Sequence, residues 1–501
     1  MYQLNSLEDT IVAIATPMGQ GGIGIVRLSG RNTLAICDQL FVSKNKKKPS
    51  QFKSFTVHYG WVVRWREELS QGAWGRPASQ VRSSGWPPTQ QSEDKKDPTD
   101  AQKNFEILDE ALLTLMRAPK SYTTEDVAEI SCHGGMVVLY ALVQLIVDLG
   151  ARLAEPGEFT KRAFLNGRLD LTQAEAVLDI IQAKTDRFLR MSLHQLKGEL
   201  STELEGIREH LLRIYVQMEA IVNFPEDDLD ASPRMKLTGE IQSARNRVDH
   251  LLQSSEQGRI LKDGIRIVIC GKPNVGKSSL LNVLLKTPRA IVTDIAGTTR
   301  DTIEETLQIK GIPFQLIDTA GILEPRDLLE AEAIRRSHLY INSADLILFV
   351  VDGSDEITPE DELLIQNISG KNVLVVLNKC DLEQKIAPEE IRQRLGDNKV
   401  IKVSALKKIL IEDLEDTIVE NVAQGRPIDQ TILISNVRHV QALKDCSAAL
   451  ARAEGMTQDG LSFEFVSEEI KLAVNFLDNL TGRNIDRDLL EKIFSEFCIG
   501  K

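Results

Sequence analysis

Eight consecutive residues, Gly271-Lys272-Pro273-Asn274-Val275-Gly276-Lys277-Ser278, spell G-x-x-x-x-G-K-S. Glycines at those places let main-chain N–H groups approach phosphate oxygens closely, and the start of a following helix favours negative charge. Lys277 is then placed for the β- and γ-phosphates of a nucleotide and the Ser278 hydroxyl for Mg2+, with Asn274, Val275, Gly276 and Ser279 completing the phosphate-binding set. A ligand-free turn of the same composition is the plain alternative, and three motifs downstream argue against it.

Asp318-Thr319-Ala320-Gly321 offers a carboxylate for Mg2+ through water and a glycine N–H for the γ-phosphate. In Asn378-Lys379-Cys380-Asp381, the Asp381 carboxylate can accept from guanine N1–H and the 2-amino group, which adenine lacks, so the base is guanine. Ser404-Ala405-Leu406 adds a main-chain N–H for the guanine carbonyl, and Thr299 is spaced to complete Mg2+ coordination. These motifs, in this order, specify a GTP hydrolase. Many regulatory GTPases carry Gln after the glycine of the second motif, but Ile322 stands here and cannot orient water through its side chain. Glu324, Glu330 and Glu332 are the candidate replacements, and spacing alone does not choose among them. With no arginine finger evident, a bound potassium ion suits the site, using the Asn274 side-chain oxygen and main-chain carbonyls between Thr293 and Thr298.

The elements that must hold these groups are legible as patterns. Ile265 to Cys270 reads as a buried strand leading into the loop, and Ser279 to Leu285 continues with helical spacing. Further apolar runs at Leu346 to Val351 and Val373 to Leu377 indicate a mostly parallel sheet covered on both faces. Before it, Leu200, Leu204, Ile207, Leu211, Ile214, Met218 and Ile221 line one face of a long helix, and Leu237, Ile241, Val248 and Leu252 mark a second. Val437, Val440 and Leu443, then Leu472, Phe476 and Leu480, are helical again. That tail is short for a core of its own, so it is expected to pack with the earlier helices, making the nucleotide domain an insertion in a discontinuous helical domain.

At 501 residues the chain calls for several domains, and a net charge of −13 argues against broad adhesion to nucleic acid or anionic membrane. Six cysteines (Cys37, Cys132, Cys270, Cys380, Cys446, Cys498) lack C-x-x-C pairing, which suggests a reducing compartment. No apolar run approaches about 18 residues and no basic-then-apolar leader opens the chain, so a cytoplasmic protein without a membrane span is expected. Near the start, Gly19, Gly21, Gly22 and Gly24 make a tight, glycine-rich stretch, read as a hairpin or the rim of a ligand site. Residues from about 44 to 104 read as a flexible insertion rich in Lys, Ser, Gln, Pro and Gly. It holds all four tryptophans (Trp61, Trp65, Trp74, Trp86), so a surface loop is weighed against base stacking. His133 has no spaced partner for a metal and reads as a hydrogen-bonded histidine at a strand end.

Nearly the whole chain apart from the insertion resembles the MnmE (TrmE) family of tRNA-modification GTPases. The resemblance rests on Gly22 to Gly30 (GIGIVRLSG), Pro156 to Asn166 (PGEFTKRAFLN), Thr293 to Asp301 and the ending Phe497-Cys498-Ile499-Gly500-Lys501. It implies an N-terminal α+β domain over 1–166 that binds folate and dimerises. It also implies helical segments over 167–263 and 426–501 around a GTPase domain over 264–425. The family's activity would be a potassium-dependent GTPase working with MnmG (GidA), an FAD-containing partner, as a heterotetramer or larger complex. Together they add an aminomethyl or carboxymethylaminomethyl group at C5 of the wobble uridine of tRNA, from a tetrahydrofolate one-carbon donor for which 5-formyl-tetrahydrofolate is an analogue. By motif, the resemblance places potassium on Asn274, Thr293, Ile295 and Thr298, and the water on Glu330, with Glu332 the rival. It places folate on Arg27, Glu129, Arg168 and Lys501, a sensible set because cations suit glutamate carboxylates and Glu129 suits the pterin's donor edge.

Thr124 stands where the family usually has Gly. Cys498 is read either as a group near the one-carbon site or as a buried thiol; the Gly500-Lys501 ending does not suit prenylation. The competing reading of the chain is a regulatory GTPase of the ribosome-assembly type, which would need a basic RNA-binding module that this acidic sequence does not display.

Overall fold

The computed structural model describes residues 9–65, 105–223, 232–285, 304–318, 340–396, 398–423 and 434–501. Two compact units are present, one of Met1–Glu175 with Asn484–Lys501 and one of Ala176–Arg483. No helix among the described residues is long and apolar enough to cross a membrane.

The first unit is built on a sheet of strands β1 (Ile11–Ile14), β2 (Gly21–Ser29), β3 (Phe41–Ser43), β4 (Thr56–Trp65), β5 (Phe105–Met116), β6 (Val127–Gly134) and β7 (Arg152–Leu153), in the order β3-β4-β5-β6-β2-β1-β7. Helices α1 (Thr33–Leu40) and α2 (Met136–Asp148) cover one face. Val26 and Leu28 of β2 and Ala128 and Ile130 of β6 enter the same core as Leu139, Leu142 and Ile146 of α2. Because side chains alternate along a strand, Arg27 and Glu129 must then leave the opposite face, and the register sets them side by side. Helix α3 (Glu158–Leu165) brings Phe159 against Ile11, Ala13 and Ala154.

Residues 44–65 of the stretch expected to be a flexible insertion from about 44 have defined structure. After a turn and a short 3-10 helix at Pro49–Gln51, β4 pairs with β5 from Thr56 to Trp65. Seven of the ten residues in TVHYGWVVRW are β-branched or aromatic strand formers, whose signal is masked by polar neighbours on both sides. Trp61 meets Tyr59 edge to face, and Trp65 meets Phe105 while donating from Nε1 to the Gln39 carbonyl. Trp74, Trp86 and the rest of 66–104 lie outside the described residues.

In the second unit, helices α4 (Leu171–Gln182, which straddles the unit boundary), α5 (Asp186–Leu196), α6 (Glu199–Asn223), α7 (Ser232–Gln253) and α8 (Ser255–Asp263) precede the nucleotide-binding sheet. The sheet comprises β8 (Ile265–Cys270), β9 (Glu304–Ile309), β10 (Ile312–Asp318), β11 (Leu346–Asp352), β12 (Val373–Asn378) and β13 (Val400–Lys402), ordered β13-β12-β11-β8-β10-β9. All pairs are parallel except β9 with β10. Alternate residues of β11 feed two separate cores, Leu348 and Val350 on one face and Phe349 and Val351 on the other, so the continuous apolar run reflects burial on both sides. Helices α9 (Lys277–Leu285), α10 (Pro359–Ile368), α11 (Pro388–Leu395) and α12 (Ile411–Ala423) flank it.

After the sheet, α13 (Val437–Gln458) and α14 (Phe463–Thr481) return to α6 and α7. Leu204, Ile207 and Leu211 share one core with Ile241, Val248, Leu443, Leu450, Ile470 and Leu477. The chain therefore leaves a helical domain, builds the nucleotide domain and comes back. Residues from 484 onward depart from the expected grouping of 426–501. Helix α15 (Arg487–Ser495) and the ending join the first unit, where Phe494 stacks near Phe164 and Phe497, and the Gly157 and Phe159 N–H groups donate to the Cys498 and Lys501 main-chain oxygens.

Thr124 adopts φ +62°, a left-handed conformation that is unusual for a β-branched residue. Both of its neighbours are held: Thr123 is tied to Ser29, Asn166 donates to the Thr123 carbonyl, and Glu125 accepts from Ser29 and Arg162. A Cβ in that region costs about 1–2 kcal/mol, while glycine loses about 0.4–1 kcal/mol through a looser unfolded chain. Thr124→Gly is therefore expected to stabilise the first unit by roughly 0.5–1 kcal/mol, read as a raised unfolding midpoint; an unchanged or lowered midpoint would show that the turn is unstrained.

Candidate functional site: a phosphate loop joined to a guanine pocket

The C-terminal ends of β8, β10, β11 and β12 converge, with Asp318 opposite Ile269 and Asp352 opposite Asn378. Ligand sites of open parallel sheets form at such edges. From β8 the chain turns through residues 271–276 into α9, the strand–loop–helix context the motif requires. Three loop residues have positive φ: Gly271 at 150°, Asn274 at 65° and Gly276 at 99°. A Cβ on Gly271 would lie 2.2 Å from the Val350 oxygen, and one on Gly276 would lie 2.2 Å from Asn378 Nδ2. Both glycines are thus required by close neighbours as well as by the ligand they would cradle.

Lys277 Nζ donates to the carbonyls of Gly271 and Lys272, each at 2.8 Å, curling back over the loop. Ser278 and Ser279 are exposed in the first turn of α9, and Asn274 is exposed at the bend, so their polar atoms are available to a ligand. Val275 is buried beneath, and its carbonyl accepts from Asn378 Nδ2 at 2.8 Å. The same Asn378 accepts from the Ala405 N–H through Oδ1 at 3.0 Å. One buried amide therefore binds the phosphate loop to the segment after β13.

Lys379 follows at φ +62°, its ammonium 2.5 Å from Asp352 Oδ2. Asp381 accepts from the Ser404 side chain and lies 3.3 Å from Lys407 Nζ; these contacts hold its pKa below the ordinary aspartate value, the Ser404 bond contributing most. A carboxylate ionised at neutral pH is what guanine N1–H and its amino group need. Of the other expected nucleotide and cation groups, Asp318 is the last residue of β10. Thr293, Ile295, Thr298, Thr299, Gly321, Glu324, Glu330 and Glu332 lie outside the described residues.

The first unit brings together the other expected set. Arg27 meets Glu129 through Nε at 2.8 Å and Nη2 at 2.7 Å, and donates from Nη1 to the Gly500 carbonyl at 2.9 Å. The Arg27 guanidinium also lies 5.7 Å from the Phe159 ring and 6.0 Å from the Tyr122 ring. Arg168 covers Tyr122 at 4.7 Å and donates to its carbonyl. Tyr122 thus has two guanidiniums within 6.0 Å of its ring centroid. Cys498 is exposed, which removes the simple-burial reading of its thiol. His133 is the last residue but one of β6, with Nδ1 2.7 Å from Asp109 Oδ1 and its main-chain N–H on Asp109 Oδ2, the hydrogen-bonded histidine near a strand end that was expected.

Sequence reading missed the supports behind these groups. Asp352 behind Lys379 and Asp361 behind Lys272 carry no motif of their own. Tyr122 carries no sequence signal of the two arginines that meet its ring.

Asn378→Ala would leave the Val275 carbonyl and the Ala405 N–H buried without these partners, a cost of about 2–6 kcal/mol at about 1–3 kcal/mol each. The expected result is that loss in chemical denaturation of the second unit, with GDP binding weakened at least about tenfold. Wild-type denaturation and affinity would show that the amide is dispensable.

Two family descriptions match the chain: "GTP-binding protein TrmE N-terminus" over residues 10–168 and "MnmE helical domain" over residues 171–498. It is 42% identical over 497 residues to the tRNA modification GTPase MnmE of Desulforamulus reducens, covering 99% of this chain and 100% of that one. It is 41% identical over 496 residues to that of Alkaliphilus oremlandii, with 99% and 100% covered. To that of Lysinibacillus sphaericus it is 41% identical over 495 residues, with 98% and 99% covered.

Proposed function

The chain belongs to the tRNA modification GTPase MnmE family, and on that premise we propose that it is a potassium-dependent GTPase that couples GTP hydrolysis to folate-dependent modification of tRNA. The reaction adds an aminomethyl or carboxymethylaminomethyl group at C5 of the wobble uridine. The protein works as a homodimer with the FAD-containing MnmG (GidA), in a heterotetramer or larger complex in the cytoplasm.

GTP binds with its phosphates on the main chain of Asn274 to Ser279, its β- and γ-phosphates on Lys277 and its base on Asp381. Mg2+ would be held by Ser278 and Thr299, with Asp318 acting through water, and would neutralise developing charge on the phosphates. Potassium would be held by Asn274, Thr293, Ile295 and Thr298, supplying the positive charge that an arginine finger gives elsewhere. Asn274 fits that role, since its left-handed backbone leaves its side chain exposed at the bend of the loop. Glu330 orients the attacking water, with Glu332 the alternative.

The observation that carries the folate reading is the arrangement around Arg27. Two guanidiniums, a carboxylate and two aromatic rings converge, Arg27 being paired with Glu129 and facing Tyr122 and Phe159, and Arg168 stacking on Tyr122. Such a set can stack a pterin, grip its donor edge through Glu129 and pair the glutamate carboxylates of folate with cations. Lys501 adds a further cation, and Cys498 is an exposed thiol nearby in sequence.

Calorimetric titration with 5-formyl-tetrahydrofolate is expected to give saturable binding that Arg27→Ala reduces at least about tenfold while GTP turnover is retained. No binding by folded wild-type protein would reject the one-carbon site and leave the GTPase without it. Turnover measured at equal ionic strength is expected to be faster in KCl than in NaCl, and equal rates would remove the cation from the mechanism.

A further inference from the structure

Lys272, the variable residue after the first glycine of the phosphate loop, is not a surface lysine. Its side chain is 12% exposed, with Nζ 3.3 Å from Asp361 Oδ2 and 3.5 Å from Asp355 Oδ2. Asp361 is 1% exposed and closes the capping box of α10: its Oδ2 accepts from the Thr358 N–H at 3.0 Å and hydroxyl at 2.8 Å, while Thr358 Oγ1 accepts from the Asp361 N–H. Asp361 Oδ1 is buried with no hydrogen-bond partner. A buried carboxylate needs a counter-charge, and Lys272 is the cation beside it. Burial disfavours the Lys272 ammonium, yet the two carboxylates hold its pKa above the ordinary lysine value.

The main chain of the same residue faces the nucleotide machinery. The Lys272 carbonyl is one of the two that Lys277 Nζ reaches, and the other, on Gly271, belongs to a residue packed tightly against Val350. We propose that Lys272 is a positioning residue of the phosphate loop: its ammonium, held by Asp361 at the start of α10, fixes the carbonyls that orient Lys277 and so sets how tightly the loop grips the nucleotide phosphates. The loop is then anchored from two directions, by Asn378 through the Val275 carbonyl and by Asp361 through Lys272. The grip acts on bound GDP and GTP alike, so it belongs to binding rather than to the chemical step.

The test compares Lys272→Met, Lys272→Arg, Asp361→Asn and the double variant Lys272→Met/Asp361→Asn in the full chain. The readouts are Mg–GDP affinity, KM and kcat for GTP, and the unfolding midpoint. Lys272→Met is expected to weaken GDP binding and raise KM about tenfold, with kcat changed less than about twofold. Lys272→Arg is expected to restore most of the affinity. Asp361→Asn is expected to lose as much as Lys272→Met and the double variant no more than either, since both break one anchor. Should Lys272→Met fail to fold for want of a counter-ion, the double variant, which leaves no charge buried, carries the test alone. Wild-type GDP affinity in the folded double variant would overturn the proposal, reducing Lys272 to a cap of α10. Additive losses in the two single variants would overturn it as well.

Discussion

The hydrogen bond from Arg27 Nη1 to the Gly500 carbonyl spans 473 residues of sequence, and the organisation of the first unit depends on it. Arg27 leaves the sheet face opposite the helix-packed core because Val26 and Leu28 on either side fill that core. An arginine there needs acceptors; Glu129 supplies one across the strand pair and the chain ending supplies another. The ending can approach because Gly500 has φ +92° and no Cβ, which would otherwise lie 2.4 Å from the Ile14 oxygen. Gly157, at φ +67°, yields in the same way to the Phe494 carbonyl. Two glycines and a guanidinium thus bring the last residues back to the first strands, although a helical domain and a nucleotide domain are built between them.

Beneath that contact lies a buried charge. Arg162, 1% exposed, is flanked by Asp9, Glu125 and Glu158, and Arg152 binds Asp9 and Glu158 from the other side. Burial alone would raise the pKa of Asp9 and Glu158, but the arginines outweigh it and hold both below their ordinary values. Carboxylates so depressed contribute stability that is present above their unfolded-state pKa and is lost as the pH falls through the folded-state value. Removing one partner from such a cluster leaves the rest uncompensated, so its value is better described as fixing one arrangement than as adding net stability. What it fixes is the placement of α3 against β1 and the turn at residues 122–125, the segment that carries Tyr122 to Arg27 and Arg168.

Local patterns were readable in the sequence, and distant pairings were not. The phosphate loop between strand and helix was legible because its geometry is written in eight consecutive residues. The face from Leu200 to Met218 was legible because helical periodicity survives without knowledge of its partner. The strand Thr56–Trp65 was not, because a ten-residue strand interrupted by His58, Gly60 and Arg64 between polar stretches looks like part of an irregular segment until β5 is known to lie alongside. Residues 484–501 read as a continuation of the helical tail because nothing in Arg487–Ser495 says that its apolar face belongs with Phe164 rather than with α14. Arg27 and Glu129 came together only through resemblance to a family, since neither the Gly-rich stretch nor the strand around Glu129 signals its partner.

The nucleotide site shows why some of its residues have no freedom to vary even before a ligand is considered. Asn378 lies on the guanine motif, yet its side-chain amide bonds protein at both ends, the phosphate loop through Nδ2 and the segment after β13 through Oδ1. Gly276 must lack a side chain for that amide to fit, since its Cβ would overlap Nδ2. The phosphate loop and the Ser404-Ala405 segment are therefore joined through one side chain: a displacement of the loop strains the bond to Val275, and a displacement of the Ser404-Ala405 segment strains the other end. Pre-organisation of this kind lowers the ordering cost of binding. With the base on Asp381 as proposed, the same link would tie the base pocket to the phosphate loop, and selectivity for guanine would rest on its stiffness as well as on the Asp381 carboxylate.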